Sequence, residues 1–246
     1  MARFFVSKKD IADKHGVITG VELDHARKVL RLRPGDHVTL FDDTGWEHEA
    51  VVQSYSADRG NFEILRSYRP NRESSLAITL AVALTKGEKM DLIIEKATEL
   101  GAHSIIPFIS SYAVPRLDAS KIEKRKERWQ RVALSAAKQC GRTHVPEIFP
   151  LTDFETLIRQ TEPLPLKLLF WEKESEHGLK QVRETHPSVG SVLIVVGPEG
   201  GFSPGEVKLA IDRAFKSIGL GNRILRAETA AVTALSLVQF LWGDLG

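Results

Sequence analysis

Cysteine is nearly absent from this chain: Cys140 is the only one in 246 residues. That excludes an intrachain disulfide and a cysteine-rich zinc site. The eight histidines do not fall at metal-ligand spacings such as HExxH, so metal-assisted chemistry is not expected. Long apolar runs are missing too. None approaches the ~20 residues that span a bilayer. The opening MARFFVSKK, charged at Lys8, is too polar for a secretory signal. A cytoplasmic protein without membrane attachment is the expectation. Two nucleotide fingerprints are also lacking. GxxxxGK[ST] occurs nowhere, and GPEGGF (197–202) does not supply GxGxxG, which removes the usual sequence support for ATP and NAD. Nor does one sign of charge prevail, with 34 basic residues against 32 acidic ones.

The positive charge is nevertheless uneven. Arg27, Lys28, Arg31 and Arg33 crowd one early segment, and KIEKRKERWQR (121–131) is mostly basic. Such patches form electrostatic footprints for phosphate. The second run reads first as a solvated helix face with i,i+4 ion pairs.

Two rhythms divide the chain. VELDHARKVLRL (21–32) has Leu23, Ala26 and Leu30 on one helical side. Strand patterns follow at HVTLFDD, WEHEAVVQSY and NFEILRSY, punctuated by Pro34-Gly35, Thr44-Gly45 and Asp58-Arg59-Gly60. Closely spaced strands with one helix predict a compact β-barrel-like module. RPNRESS (69–75) is the linker candidate. From residue 76, strands alternate with helices. LAITLAVAL, SIIPFI, LKLLFWE, SVLIVVG and SIGLG are strands, and Glu88–Leu100, 119–139 and 229–242 are helices. Continuous apolar strands between helices predict a parallel sheet covered on both faces. The fold class is therefore α/β with a small β domain in front.

Two segments carry chemistry. In VLIVVGPEGGFSPGEVKLAI (192–211) a strand ends in Gly197-Pro198-Glu199-Gly200-Gly201. Ser203, Pro204 and Glu206 then form a capping box that opens a helix. Glycines there let backbone amides approach a ligand, at the strand ends where parallel sheets bind ligands. In LGNRILRAETAAVTALSLVQFLWGDLG (220–246), Arg226, Glu228 and Thr229 precede a helix that is apolar on nearly every side, as expected of one buried against its own sheet and a second subunit.

GPEGGFSPGE followed by LGNRILRAETA resembles the paired C-terminal signature of the SPOUT methyltransferases. HARKVLRLRPGD (25–36), KGEKMDLIIEKATELG (86–101), KQCGRTHVPEI (138–148) and the terminal GDLG narrow the resemblance to the RsmE family, which methylates N3 of a uridine in 16S ribosomal RNA. The likeness spans essentially the whole chain. It implies a PUA-like RNA-binding β-barrel over 1–70 and a SPOUT-type trefoil-knotted parallel-sheet domain over 76–246. It also implies a homodimer with S-adenosylmethionine as methyl donor, no metal, and 16S ribosomal RNA of the assembled small subunit as partner. The donor would lie among Leu169, Phe170, Trp171 and Glu172; Gly197, Pro198, Glu199, Gly200 and Gly201; and Leu220, Gly221, Ile224, Leu225, Arg226, Glu228 and Thr229. RNA contacts are expected at Arg3, Arg27, Arg31, Lys86, Lys89, Arg116 and Arg142.

Methyl transfer from a sulfonium to nitrogen is an in-line displacement in which alignment is the protein's main task. The uracil N3–H must lose its proton as the bond forms. Arg226 is the expected catalytic cation for the uracil anion, and Glu228 steadies it or relays the proton. Cys140 is not needed, because deprotonated N3 is itself nucleophilic. Two other readings remain open: a SPOUT enzyme acting elsewhere, such as a ribose 2′-hydroxyl of transfer RNA, and a non-catalytic RNA-binding protein.

Overall fold

The computed structural model describes residues 1–112, 119–160 and 164–246. Its chain divides into two compact units, 1–73 with 137–145 and 74–136 with 146–246.

The first unit contains β1 (Ala2–Phe5), β2 (Ile11–Ala12), β3 (His15–Ile18), α1 (Gly20–Asp24), β4 (His37–Phe41), β5 (Glu47–Tyr55) and β6 (Gly60–Tyr68). The strands form one sheet in the order β1-β4-β5-β6-β3-β2. Only the β1–β4 pair is parallel. Period-two patterning turns Ala50, Val52, Phe62 and Ile64 into a core shared with Phe4, Val38 and Leu40. Register shifts interrupt the β5–β6 ladder at Glu49/Ala50 and Val52/Ser54, as at strand bends. The expected helix is present but shorter than its pattern. α1 continues as a π-helical turn over His25–Val29. Arg31 then takes φ 55°, and Leu30, expected on the buried side, is exposed.

A buried ionic group joins residues 137–145 to this sheet. Glu47 is 1% exposed. It accepts hydrogen bonds from Arg72 Nη1 at 2.7 Å, Tyr68 Oη at 2.8 Å and Arg3. Arg3 Nη2 also donates to the Arg142 carbonyl at 2.9 Å. The buried Arg142 guanidinium pairs with Glu73 at 2.8 Å. Burial alone would raise the Glu73 carboxyl, but Arg142 and the amides of Thr143 and His144 hold it below the usual carboxylate range. Arg3 and Arg142, expected to touch RNA, are therefore structural. Their guanidiniums are largely buried and neutralised by Glu47 and Glu73. The domain expectation also changes, because 137–145 lies in sequence within the second segment but packs with the first.

The second unit begins with β7 (Ala77–Ala83), α2 (Lys89–Glu99), β8 (Ser104–Ile109) and α3 (Ala119–Cys140), whose last turn belongs to the first unit. Then come β9 (Glu147–Ile148), β10 (Thr152–Asp153), α4 (Phe154–Gln160), β11 (Lys167–Phe170), α5 (Leu179–Thr185) and β12 (Ser191–Val196). The unit closes with α6 (Pro204–Asp212), β13 (Lys216–Ile218) and α7 (Ala227–Trp242). The sheet runs β10-β8-β7-β12-β11-β13, with β9 also on β8. Every pair is parallel. Helices α4 and α6 pack together near β8 and β13, while α2 and α7 pack together near β7 and β12.

Two features of this unit were not legible as patterns. Phe202, at the end of GPEGGF, is 2% exposed and sits among Phe108 and Phe154 at ring separations of 6.4 and 5.6 Å. Such pairs contribute about 0.5–1.5 kcal/mol each beyond their burial and anchor the glycine loop in the core. Helix α7 is also not uniformly apolar. Gln239 is fully buried, donates to the Leu100 carbonyl at 2.9 Å and accepts from Ser74 Oγ at 2.9 Å. It thereby satisfies an orphan carbonyl at the end of α2. Leu237 and Phe240, by contrast, are 39% and 59% exposed.

Candidate active site

Adjacent strands β12, β11 and β13 end at one level, with Phe170 opposite both Val196 and Ile218. The segments that leave them meet in a cleft partly open to solvent. Phe170, Trp171, Glu172, Gly197, Pro198, Gly201, Leu220, Gly221 and Leu225, all named as donor candidates, line it. Val196, Arg223, Ala227 and Ala230 line it as well. Their signals were faint: Val196 ends a strand already assigned, and Ala227 and Ala230 share a helix face at a spacing of three.

Other expected donor residues lie off the cleft wall. Leu169 alternates with Phe170 and points into the opposite core cluster. Ile224 is 84% exposed. Gly200 packs under Tyr112, where a Cβ would meet the Tyr112 Cβ at 3.1 Å. Thr229 is exposed on the first turn of α7. Arg226 is exposed, and its carbonyl accepts from Ala230 N at 2.8 Å.

Beside the cleft, Lys89 joins two carboxylates. Its Nζ is 2.9 Å from Glu199 Oε1 and 3.6 Å from Glu228 Oε2. The latter lies beyond hydrogen-bond reach, and Glu228 Oε2 is buried without a hydrogen-bond partner among the described residues. The Glu199 hydrogen bond holds the Lys89 ammonium above its ordinary value. Burial would raise Glu199, but Lys89 and nearby amides hold it lower. Two expectations are corrected here. Lys89 is engaged by carboxylates instead of standing free for phosphate, and the partner of Glu228 is Lys89, not Arg226.

The glycine loop is positioned from below and behind. Ser203 and Glu206 close the expected capping box, with Ser203 N donating to Glu206 Oε2 at 2.8 Å. Glu206 Oε1 also accepts from Ser111 N at 2.8 Å. Gly201 adopts φ 72°, with the Glu172 carboxylate where a side chain would begin.

Of the remaining RNA expectations, Arg27 is exposed, donates to the Ser56 carbonyl at 3.0 Å and lies over the Tyr55 ring. Arg31 and Lys86 are exposed. Arg116 lies outside the described residues. No group of metal-ligating side chains occurs among the described residues.

The residues present suit S-adenosylmethionine. Phe170, Leu220 and Leu225 offer apolar walls, and the backbone of the glycine loop offers polar groups. Glu172 sets an anion at the rim for a cationic ligand. Trp171 Nε1 is a buried donor with no acceptor among the described residues, a group that a ligand can satisfy.

This small β domain ahead of a parallel-sheet domain with its strand-end cleft matches the models of an RNA methyltransferase. A family model for an RNA methyltransferase domain matches residues 72–239, and one for an RNA methyltransferase PUA domain matches 18–65. The fold is a PUA-like domain followed by a SPOUT methyltransferase domain. The chain is 34% identical to ribosomal RNA small subunit methyltransferase E of Bacillus subtilis, across 98% of this chain and 96% of that one. It is 31% identical to the Mycobacterium tuberculosis protein of the same name, across 97% and 91%. The Neisseria gonorrhoeae methyltransferase E, solved with bound S-adenosylmethionine, superposes with a TM-score of 0.89 at 32% identity and full coverage of both chains. A Legionella pneumophila chain solved with the same cofactor gives 0.91 at 32%, across 99% and 98%. The protein belongs to the ribosomal RNA small subunit methyltransferase E family.

Proposed function

We propose that this protein methylates N3 of a uridine in 16S ribosomal RNA, using S-adenosylmethionine and acting as a homodimer on the assembled small subunit. The observation that carries this reading is the cleft formed where β11, β12 and β13 end together. In this reading the same three segments form the trefoil knot of the SPOUT class. The exposed Leu237 and Phe240 of α7 support a subunit interface.

When bound, the donor supplies an electrophilic methyl group on a sulfonium. Phe170, Leu220 and Leu225 exclude water around it, and Glu172 complements its positive charge. Arg226, exposed where α7 begins, offers a permanent cation to the developing uracil anion. Glu228 Oε2 accepts the N3 proton, with Lys89 limiting the charge that builds between the two carboxylates.

The test is transfer of labelled methyl to unmethylated small subunits beside naked 16S RNA. The reading predicts incorporation, faster on assembled subunits. Absence of transfer to either substrate refutes it.

A further inference from the structure

The basic run at 121–131 takes no part in the cleft. On α3, Lys121, Lys124, Arg125, Arg128 and Arg131 recur at spacings of three and four and so share one face. Glu123 falls outside that stripe, and Glu127 lies at its edge, three residues from Lys124 and four from Arg131, yet pairs with neither among the described residues. Trp129 and Ala133, 4% and 0% exposed, mark the buried side. Lys124, Arg125, Arg128 and Arg131 are exposed. Among the described residues, Lys124, Arg125 and Arg131 have no carboxylate partner, while Arg128 pairs with Asp91 of α2. That contact sets the stripe beside the start of α2, which carries Lys89 and, through it, Glu199 and Glu228.

We propose that this stripe, about 15 Å long at the α-helical rise, binds the phosphate backbone of the RNA flanking the methylated nucleotide. The proposal rests on the ribosomal RNA methyltransferase reading above. Cations without carboxylate partners on one face repel each other, and a polyanion relieves that repulsion while releasing its own counterions. A membrane surface fits less well, because an interfacial helix needs an exposed apolar face and the apolar face of α3 is buried.

The experiment changes Lys124→Gln, Arg125→Gln and Arg131→Gln together in the full chain. Binding to 16S ribosomal RNA is then measured across a series of KCl concentrations. The slope of log affinity against log salt should become shallower by about 2–3, at roughly 0.7–0.9 for each phosphate no longer neutralised. S-adenosylmethionine affinity and melting temperature should stay at wild-type values. The charge-retaining set Lys124→Arg, Arg125→Lys and Arg131→Lys should keep the wild-type slope. An unchanged slope in a wild type that does methylate overturns the stripe alone. A wild type that neither binds nor methylates the RNA overturns the functional reading, and the stripe with it. Loss of binding to phosphatidylserine vesicles with RNA binding intact overturns it in favour of a membrane.

Discussion

Gly219→Ala should damage the cleft from behind without touching any residue that lines it. Gly219 follows β13 and precedes Leu220 and Gly221, both in the cleft wall. Its amide donates to the His177 carbonyl at 3.0 Å. A Cβ there would stand 2.3 Å from the Glu174 carbonyl oxygen, about 1 Å inside an ordinary carbon–oxygen contact of ~3.3 Å. The obstacle is backbone, so no rotamer change relieves it. Either the 174–177 loop or the 219–221 segment must move. Overpacking of this kind costs about 1–3 kcal/mol, a fall in melting temperature of roughly 2–12 °C for a chain of this size. Displacing Leu220 and Gly221 by ~1 Å should reduce turnover by about 10²-fold. Gly205→Ala is the control, since its Cβ would meet nothing nearer than Ser203 Oγ at 4.0 Å; turnover should hold there, and the melting temperature should hold or rise because alanine favours α6 more than glycine does. Thermal melts, donor titration and a turnover assay decide it. If Gly219→Ala melts with the wild type and turns over within about twofold of it, the assignment of this strand end to the donor cleft is wrong.

Arg226→Ala should lower turnover by about 10²–10³-fold, the loss expected for one preorganised anion-stabilising donor, with Arg226→Lys recovering part of it. Because the Arg226 side chain is exposed, the melting temperature should barely change, and a kinetic assay beside a melt separates a catalytic role from a structural one. Ser203→Ala should cost about 1 kcal/mol by removing the N-cap of α6, read by urea denaturation. Arg142→Ala should cost about 3 kcal/mol at neutral pH by leaving Glu73 charged in a partly buried site. Folded Glu73 binds its proton less tightly than the unfolded chain does. The stability from this pair is therefore present above the ordinary carboxyl value of 4.5 and is lost as pH falls through the lower folded value. The gap between wild type and Arg142→Ala should narrow on acidification, as denaturation at neutral and acidic pH will show.

Most of the α/β unit was legible because buried parallel strands are written as unbroken apolar runs, and SVLIVVG and LKLLFWE need no context. The capping box at Ser203 and Glu206 was legible for the same reason, being local. The short strands β1, β2 and β3 were not. They hold two to four residues each, and their identity depends on partners far along the chain. The site divides similarly. Strand-end glycines announced the cleft, but which side chains face it depends on alternation and on long-range pairing. Leu169 fell to the wrong face by one residue. Arg3, Lys89 and Arg142 looked like free cations because their carboxylates, Glu47, Glu199 and Glu73, lie 44, 110 and 69 residues away. The basic run on α3 showed the converse: its helical spacing was visible, but only the fold revealed that, among the described residues, Lys124, Arg125 and Arg131 have no carboxylate partner.

The most direct test of the account is the identity of the methylated nucleoside. Unmethylated small subunits are incubated with the protein and S-adenosylmethionine, and the 16S RNA is digested to nucleosides and resolved by mass spectrometry. N3-methyluridine should appear that is absent from the untreated sample, and it should form about 10²–10³-fold more slowly with Arg226→Ala. A methyl group on a ribose hydroxyl, on another base position or on C5 of uracil would contradict the account.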